Sequence, residues 1–124
     1  MEATSNIRQT QSPKCWVLVV TGQGDLRSGI TALLQSLPQI GHIYFADTPH
    51  EVDSVIESKP IRLAILDEDY LGDRMSEVWN TLKSKTINVI TLSDSEVKTG
   101  ANSGSHIMKG VRPEKLLMEI ERNC

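Results

Sequence analysis

Apolar residues fall along the chain in two alternating rhythms. Cys15 to Val20 is a continuous apolar stretch, the pattern of a strand covered on both faces. Leu26, Ile30, Leu33, Leu34 and Leu37 then recur at helical spacing and make one stripe, which Pro38 ends. His42 to Ala46 is a short β-branched and aromatic strand. Thr48-Pro49 has the form of a helix entry with proline at the first helical position. Val52, Val55 and Ile56 give that helix its inner face, and Lys59-Pro60 stops it. Ile61 to Leu66 is a second buried strand and ends on Asp67. Met75, Val78, Trp79 and Leu82 form a third helical stripe, Ile87 to Leu92 a fourth strand, and His106 to Met108 a short fifth. Pro113 opens a last helix with Leu116, Leu117 and Ile120 inward.

Strands alternating with helices across short loops predict parallel strands with right-handed crossovers and helices on both faces, a five-stranded doubly wound α/β domain. No internal repeat interrupts the order. One segment breaks the rhythm: Ser93 to Ser105 is rich in Gly, Ser and Asn and supplies only Val97 as an apolar anchor where a crossover helix is due. It reads as a degraded helix or a mobile loop. Residues 1–13 read as a disordered arm and residues 14–124 as the single domain, which suits a chain of 124 residues.

Composition adds exclusions. A hydrophobic fraction of 39%, a charged fraction of 23% and a formal charge of −3 carry no bias toward nucleic acid or membranes. The polar start has no secretory apolar core and no run is long enough to cross a bilayer, so a cytoplasmic protein is expected. Cys15 opens the first strand and Cys124 is the last residue, with no metal-ligand spacing; both are expected as free thiols. His42 and His50 lack partners at metal-ligand spacing and are expected on the surface.

The first strand runs into Thr21-Gly22-Gln23-Gly24, a form that raises the question of a phosphate cradle. The dinucleotide fingerprint needs a third glycine where Arg27 stands, and no Gly-Lys-Ser/Thr follows, so the segment reads as a tight βα turn. Reactive groups in such folds collect at the carboxyl ends of the strands. Those ends offer Thr21 and Gly22, then Asp67 with Glu68 and Asp69, then Ser93, then Lys109. A carboxylate, a hydroxyl and an ammonium around one edge are the parts that make and hold an acyl phosphate. The same parts also describe a lysine that only neutralises a partly buried carboxylate. Asp25 reads as a helix cap.

Four ordered segments carry a resemblance to the receiver domains of response regulators. "LAILDEDYLGD" is similar to their phosphoacceptor strand and loop, and "INVITLSD" to the strand ending in a Ser/Thr. "SHIMKGVRPEKLLMEI" is similar to their Lys-Gly-x-x-Pro-Glu segment, and "WVLVVTGQGDLRSGITALL" to their first strand and helix. The resemblance implies a flavodoxin-like sheet of order 2-1-3-4-5. It implies Asp67 as phosphoacceptor, Ser93 as switch hydroxyl, Lys109 as phosphate-pairing lysine and His106 at the aromatic switch position. On its own, His106 reads as an exposed strand-end side chain.

Two departures shape the functional expectation. The family holds Mg²⁺ with an acidic pair after the first strand, and here those places are Thr21 and Gly22, which leaves only Asp67 and Asp69 as metal candidates. The span from Ser93 to Lys109 is also several residues shorter than the family uses. The sequence therefore predicts an atypical receiver-like protein, not an enzyme, without a cofactor. It would act through contact with a histidine kinase, another regulator or its own copy, with little or no Mg²⁺-dependent phosphorylation. The alternatives are a working phosphoacceptor at Asp67 and a pseudo-receiver that takes a small molecule in the cleft emptied beside Thr21 and Gly22.

Overall fold

The computed structural model describes residues 14–22, 24–94, 105–109 and 112–124. Five parallel strands form one sheet: β1 (Cys15–Val20), β2 (Ile40–Phe45), β3 (Leu63–Asp67), β4 (Asn88–Ser93) and β5 (Ser105–Met108). Their order is β2-β1-β3-β4-β5, the doubly wound arrangement expected. The helices are α1 (Asp25–Gln35), α2 (Pro49–Ser58), α3 (Glu68–Leu71), α4 (Met75–Ser84) and α5 (Pro113–Asn123), with a 3₁₀ turn over Gly72–Arg74. The arm expected over residues 1–13 and the irregular stretch over residues 95–104 lie outside the described residues. No helix among the described residues is long and apolar enough to cross a membrane.

Alternation along the strands divides the core into two layers. Cys15, Val17 and Val19 of β1 face α1 and α5, where they meet Ile30, Leu34, Leu116 and Ile120. Leu18 and Val20 face the other way, toward Val52 and Ile56 of α2, Leu71 of α3, and Val78 and Leu82 of α4. β3 lies in the middle of the sheet and all five of its residues are buried, which is why it reads as an unbroken apolar run up to its final aspartate. Thr48 caps α2 by accepting a hydrogen bond from the Glu51 N–H, with Pro49 next in line, as the sequence predicts.

Two expectations are corrected here. Asp25 does not cap α1: the N-cap is Gly24, at φ 127°, and Asp25 is the first helical residue. Only glycine adopts that backbone conformation without strain, and the acid then sits where the helix dipole favours it. Cys15 and Cys124 are not free thiols but a disulfide, with Cα atoms 5.7 Å apart across a sequence separation of 109. β1 starts at the amino edge of the sheet, and α5 runs antiparallel to the strands, so the last residue returns to the point where the first strand begins. Sequence spacing hides that meeting because topology alone creates it.

Candidate functional site

The carboxyl edge of the sheet gathers the polar groups. Thr21, Asp67 and Ser93 are among its buried polar residues, with Asp67 only 5% exposed. Asp67 ends β3 and caps α3, so the backbone turns sharply beneath its carboxylate. One oxygen, Oδ1, accepts hydrogen bonds from the N–H groups of Asp69 (3.1 Å) and Tyr70 (3.2 Å). Lys109 Nζ lies 2.7 Å from the same oxygen and 3.1 Å from Asp69 Oδ2. Asp69 Oδ2 also accepts the N–H of Asp94, which ties the loop after β3 to the end of β4.

Lys109 is placed by its own backbone, whose N–H donates to the Ser93 carbonyl at 2.8 Å. Burial works to lower the Lys109 pKa. Hydrogen bonds and charge from Asp67 and Asp69 overcome it, so the pKa is raised above the usual lysine value. The ammonium is therefore a fixed positive charge at this edge.

Ser93 and His106 form a second group. In the β4–β5 register Thr91 stands opposite His106, and Ser93 opposite Met108. His106 Nδ1 lies 3.1 Å from Thr91 Oγ1 and 3.5 Å from Glu68 Oε2, and its Nε2 lies 3.4 Å from Ser93 Oγ. Only 18% of the His106 side chain is exposed. The expectation of an exposed strand-end histidine is thus corrected: hydroxyls on β4 and a carboxylate on α3 give the ring polar partners that let it turn inward. His42 and His50 are exposed, as expected.

The stretch after β1 is occupied rather than emptied. Thr21 is fully buried, and its hydroxyl donates to the Gly22 carbonyl at 3.1 Å. Arg27 donates from Nη2 to the Thr21 carbonyl (2.7 Å) and to Asp47 Oδ1 (2.6 Å). The Tyr70 hydroxyl donates to the Asp47 carbonyl at 3.0 Å, which lays the ring over Gly22. A Cβ on Gly22 would stand 3.1 Å from Tyr70 Cδ1, so glycine there serves the close approach of the ring. Glu68 was among the strand-end acids the sequence offered, whereas Tyr70, Arg27 and Asp47 were not singled out as site residues. Asp47 follows the end of β2, and extending the strand-end rule to that strand would have found it.

Among the described residues, no three His, Cys, Asp or Glu side chains converge as a metal site. Asp67 and Asp69, the two candidates, each give an oxygen to Lys109 instead.

No protein-family model matches the chain, and no curated protein matches it. Solved structures do. A two component transcriptional regulator AraC from Clostridium phytofermentans ISDg superposes with a TM-score of 0.73 at 19% identity, over 89% of this chain and 91% of that one. The signal receiver domain of the DNA binding response regulator protein merR from Colwellia psychrerythraea 34H gives 0.70 at 16% identity, over 88% and 97%. The receiver domain of the Saccharomyces cerevisiae response regulator Ssk1, crystallised with the histidine phosphotransfer protein Ypd1, gives 0.67 at 15% identity, over 92% and 91%. The chain therefore has the flavodoxin-like fold of response-regulator receiver domains.

Proposed function

We propose that the protein is an atypical receiver-like component of two-component signalling that acts by protein–protein contact, with little or no Mg²⁺-assisted phosphorylation. The observation that carries this reading is the filled region beside Asp67. The Tyr70 ring covers Gly22, and Lys109 takes an oxygen from each of Asp67 and Asp69. Phosphoryl transfer relies on positive charge placed against the transferring group, and a metal ion is its usual main source. Here Lys109 and the N–H groups of Asp69 and Tyr70 are the donors at hand, and they already hold Asp67 in place.

The partner is a histidine kinase, a phosphotransfer protein, another regulator or a second copy of the chain. A receiver domain of the same fold is found bound to a histidine phosphotransfer protein, which supports that class. A pull-down with wild type and Asp67→Asn tests the reading. Equal recovery of the partner is expected, and loss on mutation overturns it.

A second reading has its own support: Asp67 and Lys109 are paired at the strand edge in the arrangement an acyl phosphate would need. Under that reading Asp67 takes a phosphoryl group from a histidine kinase, and treatment with acetyl phosphate and Mg²⁺ modifies the wild type but not Asp67→Asn.

A further inference from the structure

Between α1 and α5, on the face of the sheet away from α2, lies a groove of about 410 Å³. That size falls within the range of small-ligand sites, roughly 300–1,000 Å³. Its floor is Leu92 and Ile107, its walls include Leu33 of α1 and Leu116 of α5, and one end opens at Lys109 and Arg112. The space comes from the sequence of α1. Gly29 faces the groove from the middle of that helix, and a Cβ built there would meet no atom within 4 Å. Glycine inside a helix lowers its stability relative to an aliphatic residue. Any larger side chain at this position would project into the open space.

The charges sit at one end. Arg112 is the N-cap residue of α5, and among the described residues its guanidinium has no ion-pair partner. Lys109 stands at the same end but is held by Asp67 and Asp69. Asp25 lies on the opposite wall, at the first turn of α1, and repels an acid from that side. An apolar body with an acidic head therefore has one favourable orientation, head toward α5.

We propose that this groove binds a small apolar carboxylic acid, its hydrocarbon between Leu33 and Leu116 and its carboxylate on Arg112. Apolar burial supplies the affinity and the guanidinium sets the direction. The groove is a different place from the space beside Gly22, which Tyr70 covers, and it does not depend on whether Asp67 is phosphorylated.

Calorimetric titration with decanoate and with decanol tests the assignment. Wild type is expected to bind decanoate saturably, one per chain, and decanol roughly tenfold more weakly, the loss of one charge-assisted contact. Arg112→Gln should bring decanoate down to the decanol level. Gly29→Leu, and Ala32→Phe as a second filling variant, should abolish binding of both with the melting temperature unchanged or raised. Equal affinity for decanoate and decanol in the wild type, undiminished binding by well-folded Gly29→Leu, or no saturable binding by the wild type would each overturn the proposal. So would a wild-type dimer that Gly29→Leu splits, since that would give the groove to a second copy.

Discussion

Opening the Cys15–Cys124 disulfide should cost this domain a large part of its stability. The two residues are 109 apart in sequence, so the cross-link closes nearly the whole chain. In the chain-entropy model, a closed loop of that size restricts the unfolded ensemble by about 4.8 kcal/mol at 25 °C, for a loop of about 110 residues. The native side changes little, because Cys15 is 4% exposed in the core and a buried thiol packs as a small hydrophobe. α5 also keeps Ile120 in the core, and the Asn123 carbonyl still accepts from Asn88 Nδ2. The expected net loss is therefore about 3–5 kcal/mol, against the 5–15 kcal/mol typical of a whole domain.

Urea unfolding would be measured on three samples: oxidised wild type, reduced wild type and Cys124→Ser. Cys124 is the site to change because it is only partly buried, whereas a hydroxyl at Cys15 would add its own desolvation cost. The reduced protein and the variant should unfold together, at a midpoint well below that of the oxidised protein and with a steeper dependence on urea. Identical midpoints with and without reductant would refute the argument. So would a shift on reduction in Cys124→Ser as large as in the wild type, since that chain has no disulfide to open.

Three other outcomes are expected. Lys109→Met leaves the buried Asp67 with backbone donors alone and should destabilise by about 1–3 kcal/mol in chemical denaturation; in Asp67→Asn the same change should cost less, because the two sites share one interaction. The Lys109 pKa is raised in the folded state, so its stabilisation is fully present below the lysine pKa of the unfolded chain and is lost as pH rises through the folded value. The melting temperature of the wild type should accordingly fall more steeply than that of Lys109→Met above roughly pH 10. Gly22→Asp forces a Cβ to within 3.1 Å of the Tyr70 ring and should cost about 1–3 kcal/mol, and Tyr70→Ala in the same chain should relieve most of that penalty.

The fold was legible because its signals are local. β3 and β4 read as apolar runs, the α2 boundaries follow from Thr48-Pro49 and Lys59-Pro60, and Pro113 marks the start of α5. Strand ends drifted by a residue or two; β2, expected over His42 to Ala46, spans Ile40–Phe45. α3 and the turn after it left no periodic trace, since a helix of four residues is too short to show one.

The site was legible as a set of strand ends, which brought Asp67 and Lys109 together. Its packing was not. That Tyr70 covers Gly22, that His106 turns inward to Thr91 and Glu68, and that Cys124 meets Cys15 are contacts between segments distant in sequence. The sheet order creates them and no spacing encodes them.

The proposed reading makes Asp67 a structural carboxylate with little or no Mg²⁺-assisted phosphorylation. Intact mass spectrometry after incubation with acetyl phosphate, with and without Mg²⁺, tests this most directly. The account expects no gain of a phosphoryl group under either condition. A Mg²⁺-dependent gain that Asp67→Asn abolishes would contradict it.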